Sequence, residues 1–347
     1  MARGELSAVA ASAAAAAPQR SAAGEILLAV ADLSVRFPRD GSAAETVAVV
    51  AGVGYDVAAG RTLGVVGESG CGKSMTALAL LGLVPPPGRV SGSVRFAGTE
   101  LIGQGEAAWE QLRGNRIAMI FQEPMTALNP VLTVGEQVAE VLVVHEGLGR
   151  RAAAARAVDL LAEVGIPSPR ERADSYPHQL SGGMRQRAMI ATALACRPAL
   201  LLADEPTTAL DVTVQAQILA LIAELQEQIG MAVQFISHNL GVVSEIADDI
   251  VVMYAGRIVE RAPADELFAN PLHPYTIGLI ETLPSLDRRA DRLPVIRGGV
   301  PDPAARIAAG CRFADRCPRA AAGCRDAEPP LVELAPGHAV ACIRAGS

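Results

Sequence analysis

Residues Gly67-Glu-Ser-Gly-Cys-Gly-Lys-Ser74 follow the apolar run Thr62 to Val66 and precede the helix-forming stretch Met75 to Leu83. The order strand, glycine loop, helix points to an α/β fold. Gly67, Gly70 and Gly72 let successive backbone N–H groups turn inward on an anion, because glycine accepts positive φ and a close approach that a Cβ would block. The helix N-terminus adds its partial positive charge. Lys73 can then reach the β and γ phosphates of a nucleotide, and the Ser74 hydroxyl suits Mg²⁺. The candidate nucleotide ligands are Gly67, Glu68, Ser69, Gly70, Cys71, Gly72, Lys73, Ser74 and Met75. Lys73 is the only lysine in a chain that holds 30 Lys plus Arg.

With 347 residues the chain exceeds one typical domain, so a large α/β domain with a smaller appendage is expected. A formal net charge of −7 argues against gripping nucleic acid through its phosphates. The apolar residues are scattered, and no run of about 18 suits a bilayer span. Six cysteines are too few for a disulfide scaffold of this length, and a nucleotide-binding chain belongs in the reducing cytosol.

Residues 1–24, rich in Ala and Ser, read as a disordered extension rather than a leader, since Leu6 to Ala17 is alanine where leucine is expected and Glu5 lies beside it. Ile26 to Phe37 alternates as a strand, which Pro38 to Ala44 is expected to break. Phe37 either stacks on adenine or faces the core. Pro85 to Pro87 stops the helix after the loop, Gly92 to Phe96 resumes as strand, and Ile117 to Phe121 is a strand ending at Gln122. An all-helical insert over about 123–185 follows. It ends in Leu180-Ser-Gly-Gly-Met-Arg-Gln186, where Ser181 caps a helix and Gly182 and Gly183 bare their amides, a second anion site.

Ala199 to Ala203 is a continuous apolar strand that delivers Asp204 and Glu205 at its carboxyl end, where parallel sheets carry their ligand chemistry. Asp211 opens a helix striped by Val214, Ile218, Leu221, Ile222, Leu225 and Ile229, and the strand Ala232 to Ile236 ends at Ser237 and His238. Ile250 to Tyr254 and Arg257 to Glu260 form a hairpin around Ala255-Gly256.

The ordered set Gly67 to Ser74, Gln122, Leu180 to Gln186, Asp204-Glu205, Asp211 and His238 resembles the ATP-binding cassette (ABC) ATPases over residues 25 to about 262. The resemblance implies a nucleotide-binding domain with a helical subdomain and ATP and Mg²⁺ as cofactors. Ser74, Gln122 and Asp204 would hold the metal, and Glu205 would activate the attacking water. His238 would contact the γ-phosphate, and Gln122 would link the site to the insert. Ser181, Gly182, Gly183 and Asp211 would close on ATP held by a facing subunit.

Phe121 to Pro130, Tyr176 to Leu180, Asn270 to Thr276 and Gly310 to Pro318 resemble the ATPases of bacterial oligopeptide and dipeptide permeases. Gln-Glu-Pro-Met and the Asp-Pro before the first tail cysteine resemble the D-type subunit. That resemblance implies an F-type ATPase partner, two transmembrane permease subunits, an extracytoplasmic solute-binding protein, and a place on the cytoplasmic face of the membrane. Thr208 and Asn239 depart from the family's usual serine and aspartate. Nickel or glutathione import, a soluble cassette in DNA repair or translation, and a redox or metal-sensing module on the tail cysteines are the alternatives.

The division expected is 1–24, a nucleotide-binding domain over 25–270, and a permease-type tail over 271–347. Cys311, Cys317, Cys324 and Cys342 lie in that tail among glycines and prolines, with little hydrophobic core expected there. Cys71 and Cys196 read as packing thiols, the second within a buried helix. Without a tight Cys-x2-Cys or Cys-x4-Cys knuckle, zinc is disfavoured. Four thiolates on looser spacing suit a [4Fe–4S] cluster, as some ATPases that this chain resembles carry; reduced thiols are the alternative.

Overall fold

The computed structural model describes residues 24–39, 42–208, 210–283, 295–306 and 309–345. The extension expected over 1–24 lies, apart from Gly24, outside the described residues, as does Ala209. Along the chain run β1 (Ile26–Arg39), β2 (Ser42–Ala58), β3 (Thr62–Val66), α1 (Lys73–Leu80), β4 (Arg89–Phe96), β5 (Thr99–Glu100), α2 (Glu106–Leu112) and β6 (Ile117–Ile120). The helical insert holds α3 (Pro124–Ala127), α4 (Val134–Glu146), α5 (Arg150–Glu163), α6 (Pro169–Ala173) and α7 (Gly182–Leu194). Then come β7 (Leu200–Asp204), α8 (Val212–Ile229), β8 (Ala232–Ser237), α9 (Leu240–Ser244), β9 (Asp249–Tyr254), β10 (Arg257–Pro263), α10 (Ala264–Ala269), α11 (Pro274–Glu281), β11 (Val332–Ala335) and β12 (His338–Val340).

β3, β7 and β8 are buried at every residue, which is why they read as unbroken apolar runs, and they lie parallel in the order β9-β3-β8-β7-β6. A second, antiparallel sheet runs β2-β1-β4-β5. Its apolar face, with Val35, Val53 and Tyr55, shares a core with Leu63, Val65, Leu200 and Ile236 of the parallel sheet. The two sheets meet in a buried polar contact: the Tyr55 hydroxyl donates to Gln234 Oε1 at 2.9 Å.

Pro38 does not end the first strand, which runs to Arg39 and pairs Pro38 with Thr46 of β2. Proline is tolerated there because β4 pairs with β1 only as far as Arg36, so beyond it β1 has a neighbour on one side alone. β2 itself was not foreseen, since its Ala and Gly residues dilute the alternation of Val53, Tyr55 and Val57. Cys196 lies beyond the end of α7 and is half-buried, not inside a buried helix.

The insert packs α4 on α5 and on α7. α4 starts with a capping box, in which Glu136 N–H donates to Thr133 Oγ1 and Thr133 N–H to Glu136 Oε2, and it stops at left-handed Gly147. The tail is not short of a core either, a further correction. Phe313 is buried with its ring 5.1 Å from Tyr254, 5.4 Å from Tyr275 and 5.8 Å from His273. β12 pairs with β10, so tail residues extend the central sheet across the expected boundary at 270.

Candidate functional site

The carboxyl ends of β3, β6, β7 and β8 converge, as in open α/β sheets that bind ligands beyond those ends. β3 passes directly into the glycine loop. At Gly67, φ is +154° and a Cβ would stand 2.2 Å from the Met253 carbonyl oxygen, so only glycine lets β9 approach. Gly72, at φ +107°, turns the chain into α1 with its first-turn amides directed into the loop. Lys73 is buried, and its ammonium donates to the carbonyls of Gly67 at 2.6 Å and Glu68 at 3.2 Å. Ser69 and Gly70 are open to solvent, Ser74 and Met75 half-buried, and Cys71 is fully buried, which pushes its thiol pKa up.

β7 delivers two carboxylates. Burial raises the Asp204 pKa, a hydrogen bond from Ser74 opposes that rise, and Asp204 Oδ1 is buried without a hydrogen-bond partner. A buried carboxylate oxygen left over beside a serine hydroxyl is the donor set that a hard cation takes, so the residues fit Mg²⁺. Glu205 is buried and sits at φ 47°, left-handed for a residue with a Cβ, a strain of about 1–2 kcal/mol. Its Oε2 gathers three groups: Thr208 Oγ1 donates at 2.9 Å, Gln122 Nε2 at 3.2 Å, and His238 Nδ1 lies at 3.0 Å. Its Oε1 stands 4.0 Å from the Lys73 ammonium. A carboxylate accepts only, so His238 carries its proton on Nδ1 in this pairing.

Gln122, His238, Glu205, Asp204 and the loop are thus brought together. Thr208, which the sequence reading noted only as a departure, joins them through Glu205. Ser181, Gly182, Gly183 and Asp211 stand apart. Ser181 caps α7 by accepting from Met184 N–H at 3.3 Å, and Asp211 caps α8 by accepting from Val214 N–H at 2.9 Å. The two helix starts are neighbours, since a Cβ on Gly183 would lie 3.0 Å from Val214. No hydrogen bond or ion pair among the described residues joins Ser181 to Gly183 with the phosphate loop. Phe37, near the end of β1, is half-buried, and a Cβ on Gly88 would meet its ring at 2.8 Å. Sequence reasoning missed two residues that hold Glu68: its N–H donates to Tyr275 Oη at 2.8 Å and its carboxylate pairs with Arg316.

In the tail, Cys311, Cys317, Cys324 and Cys342 line one cavity together with His273 and Phe313. Backbone N–H groups point at the sulfurs: Phe313 to Cys311, Arg319 to Cys317, Ala321 to Cys324 at 3.5 Å and Arg344 to Cys342 at 3.4 Å. Burial pushes Cys311 up to about 11 and raises Cys317 and Cys342. Among the described residues no three His, Cys, Asp or Glu side chains gather closely enough to hold a metal ion, so ligand geometry lends the metal expectation no support.

Residues 50–208 match a model described as ABC transporter, and residues 259–324 one described as oligopeptide/dipeptide transporter, C-terminal region. A probable peptide ABC transporter ATP-binding protein of Sinorhizobium fredii is 51% identical, over 92% of this chain and 95% of its own. An oligopeptide transport ATP-binding protein of Bacillus subtilis is 48% identical, over 91% and 96%. Among solved structures, a dimeric ATP-binding cassette bound to ADP and phosphate superposes with a TM-score of 0.61 at 26% identity, over 68% of this chain and 98% of that one.

Proposed function

The chain belongs to the ATP-binding subunits of oligopeptide and dipeptide ABC transporters, and from that premise we propose how its site works and what it assembles with. It is an ATP hydrolase that powers peptide uptake through transmembrane permease subunits, two in number on our reading, from the cytoplasmic face of the membrane. Among the described residues no helix is long and apolar enough to cross a membrane. Peptides are the cargo named for its relatives, which favours them over nickel or glutathione.

The observation that carries the mechanism is the Glu205 carboxylate, fixed on one oxygen by Gln122, Thr208 and His238 and facing Lys73 with the other. Loop amides and Lys73 hold the β and γ phosphates of ATP, with Phe37 as a stacking surface for adenine. Ser74, Asp204 and Gln122 would hold Mg²⁺, which when bound would neutralise phosphate charge. Glu205 accepts a proton from the water as its oxygen attacks the γ-phosphorus, and the bond to the bridging oxygen breaks toward ADP. With Nδ1 donating to Glu205, His238 can donate from Nε2 to the γ-phosphate only as imidazolium.

Ser181 to Gly183 and Asp211 form the second half of a site whose ATP is held by another subunit. Their exposed helix starts, and the absence among the described residues of a hydrogen bond or ion pair to their own phosphate loop, support this reading. The D-type motifs make that partner an F-type ATPase, and an extracytoplasmic solute-binding protein would deliver peptide. We further divide the chain into a cassette over 25–270 and a tail over 271–347.

For the tail we propose a [4Fe–4S] cluster held by Cys311, Cys317, Cys324 and Cys342; their shared cavity and the backbone N–H groups at their sulfurs support it, and it requires the sulfurs to draw closer together than they stand. Bound, the cluster would cross-link the tail. Anaerobically purified protein is then brown, absorbs near ~400 nm, and loses the colour in Cys317→Ser. Colourless protein without iron or zinc leaves four reduced thiols.

ATPase assays on the purified chain, alone and assembled with permease and F-type subunits, test the function. Peptide-stimulated turnover only in the assembly supports it; full activity from the isolated chain removes the F-type partner.

A further inference from the structure

Glu68, the second residue of the phosphate-binding loop, is held by the tail at both its backbone and its side chain. Its N–H donates to the hydroxyl of fully buried Tyr275 at 2.8 Å. Its carboxylate meets both terminal nitrogens of Arg316, Nη1 to Oε2 at 2.6 Å and Nη2 to Oε1 at 2.9 Å. Such a two-point fork fixes direction as well as distance.

Arg316 itself has little freedom. Its side chain is 8% exposed, Nε donates to the Arg297 carbonyl at 2.7 Å, and Nη2 donates to the Gly298 carbonyl at 3.1 Å. The guanidinium lies over the Tyr254 ring at 5.6 Å and the Phe313 ring at 5.9 Å. Tyr254 in turn follows Met253, whose carbonyl presses on Gly67. The loop's first two residues are therefore clamped between β9 and the tail.

The clamp continues into the cysteine cavity. Arg316 stands in the turn between Cys311 and Cys317, closed by Ala314 N–H to the Cys311 carbonyl at 3.0 Å and Arg316 N–H to the Phe313 carbonyl at 3.0 Å. Both cysteines line that cavity. The carbonyls of Gly67 and Glu68, the residues clamped, are the ones that hold the Lys73 ammonium.

We propose that Tyr275 and Arg316 are positioning residues for the phosphate-binding loop, coupling nucleotide binding to the fold of the cysteine-bearing tail. Neither touches nucleotide; they set the direction of the Glu68 peptide and carboxylate, and through them the carbonyls that locate Lys73. Coupling is reciprocal, so bound nucleotide tightens the Arg312–Cys317 turn. The proposal rests on the nucleotide-site reading above.

The test uses the full-length chain and AMP-PNP with Mg²⁺. Tyr275→Phe removes one hydroxyl and keeps the ring packing; Arg316→Ala removes the fork. Both variants should bind AMP-PNP about 5-fold or more weakly, within the range usual for coupled sites, and in the assembled transporter raise KM for ATP more than they lower kcat. AMP-PNP should slow hydrogen exchange across Arg312–Cys317 in the wild-type chain and not in Tyr275→Phe. Folded variants that bind AMP-PNP as the wild type does, with tail exchange indifferent to nucleotide throughout, overturn the proposal. A wild-type chain that fails to bind AMP-PNP is a different result, and it overturns the nucleotide-site reading together with the proposal built on it.

Discussion

The hydroxyl of Thr208 donates to Glu205 Oε2 at 2.9 Å, on the same oxygen that receives Gln122 and His238. Thr208→Ala therefore releases one of three restraints on the proposed water-activating carboxylate. A hydrogen bond of this kind contributes about 0.5–1.5 kcal/mol, so kcat of the assembled transporter should fall about 2- to 10-fold. Thr208→Ser keeps the hydroxyl and should retain most of the rate. Equal rates for Ala and wild type would remove Thr208 from the site.

Tyr55 and Gln234 tie the antiparallel sheet to the parallel one inside the core. Tyr55→Phe leaves buried Gln234 Oε1 without a donor, beside an Nε2 that already lacks a partner. Urea unfolding should show a loss of about 1–3 kcal/mol. Adding Gln234→Leu should recover part of that loss, because removing both polar partners costs less than orphaning one. A double variant less stable than Tyr55→Phe would contradict this.

The N-terminus of α4 supplies a pH test. Glu136 has a lowered pKa, chiefly through the hydrogen bond from the Thr133 backbone N–H. A carboxylate depressed in the folded state binds fewer protons there than when unfolded. Its contribution is thus present above the ordinary value of 4.5 and is lost as pH falls below it. The stability gap between wild type and Glu136→Ala should close on acidification; a gap constant with pH would mean that the ionised cap contributes nothing.

These sites differ in how openly the sequence carries them. Lys73, Asp204 and Glu205 were legible because each lies in a short string whose chemistry is local, a glycine loop before a helix or carboxylates after an apolar strand. β2 was not, because burial at Val53, Tyr55 and Val57 is masked by intervening Ala and Gly that fit loops as well as strands. Tyr275 and Arg316 reach Glu68 across 207 and 248 positions. No local pattern announces such a contact, since an arginine among tail cysteines looks like any surface cation. The tail's core was underestimated for the same reason: Phe313 is one aromatic in a polar stretch, and its partners Tyr254 and Tyr275 belong to other elements.

The role of Glu205 is tested most directly by single-turnover hydrolysis in the assembled transporter carrying Glu205→Gln. The substitution keeps the side chain's size and removes its basicity. The account predicts nucleotide affinity near that of the wild type, hydrolysis slower by about 10²-fold or more, and ATP retained in a closed complex of the two ATPase subunits. Hydrolysis at the wild-type rate would contradict it.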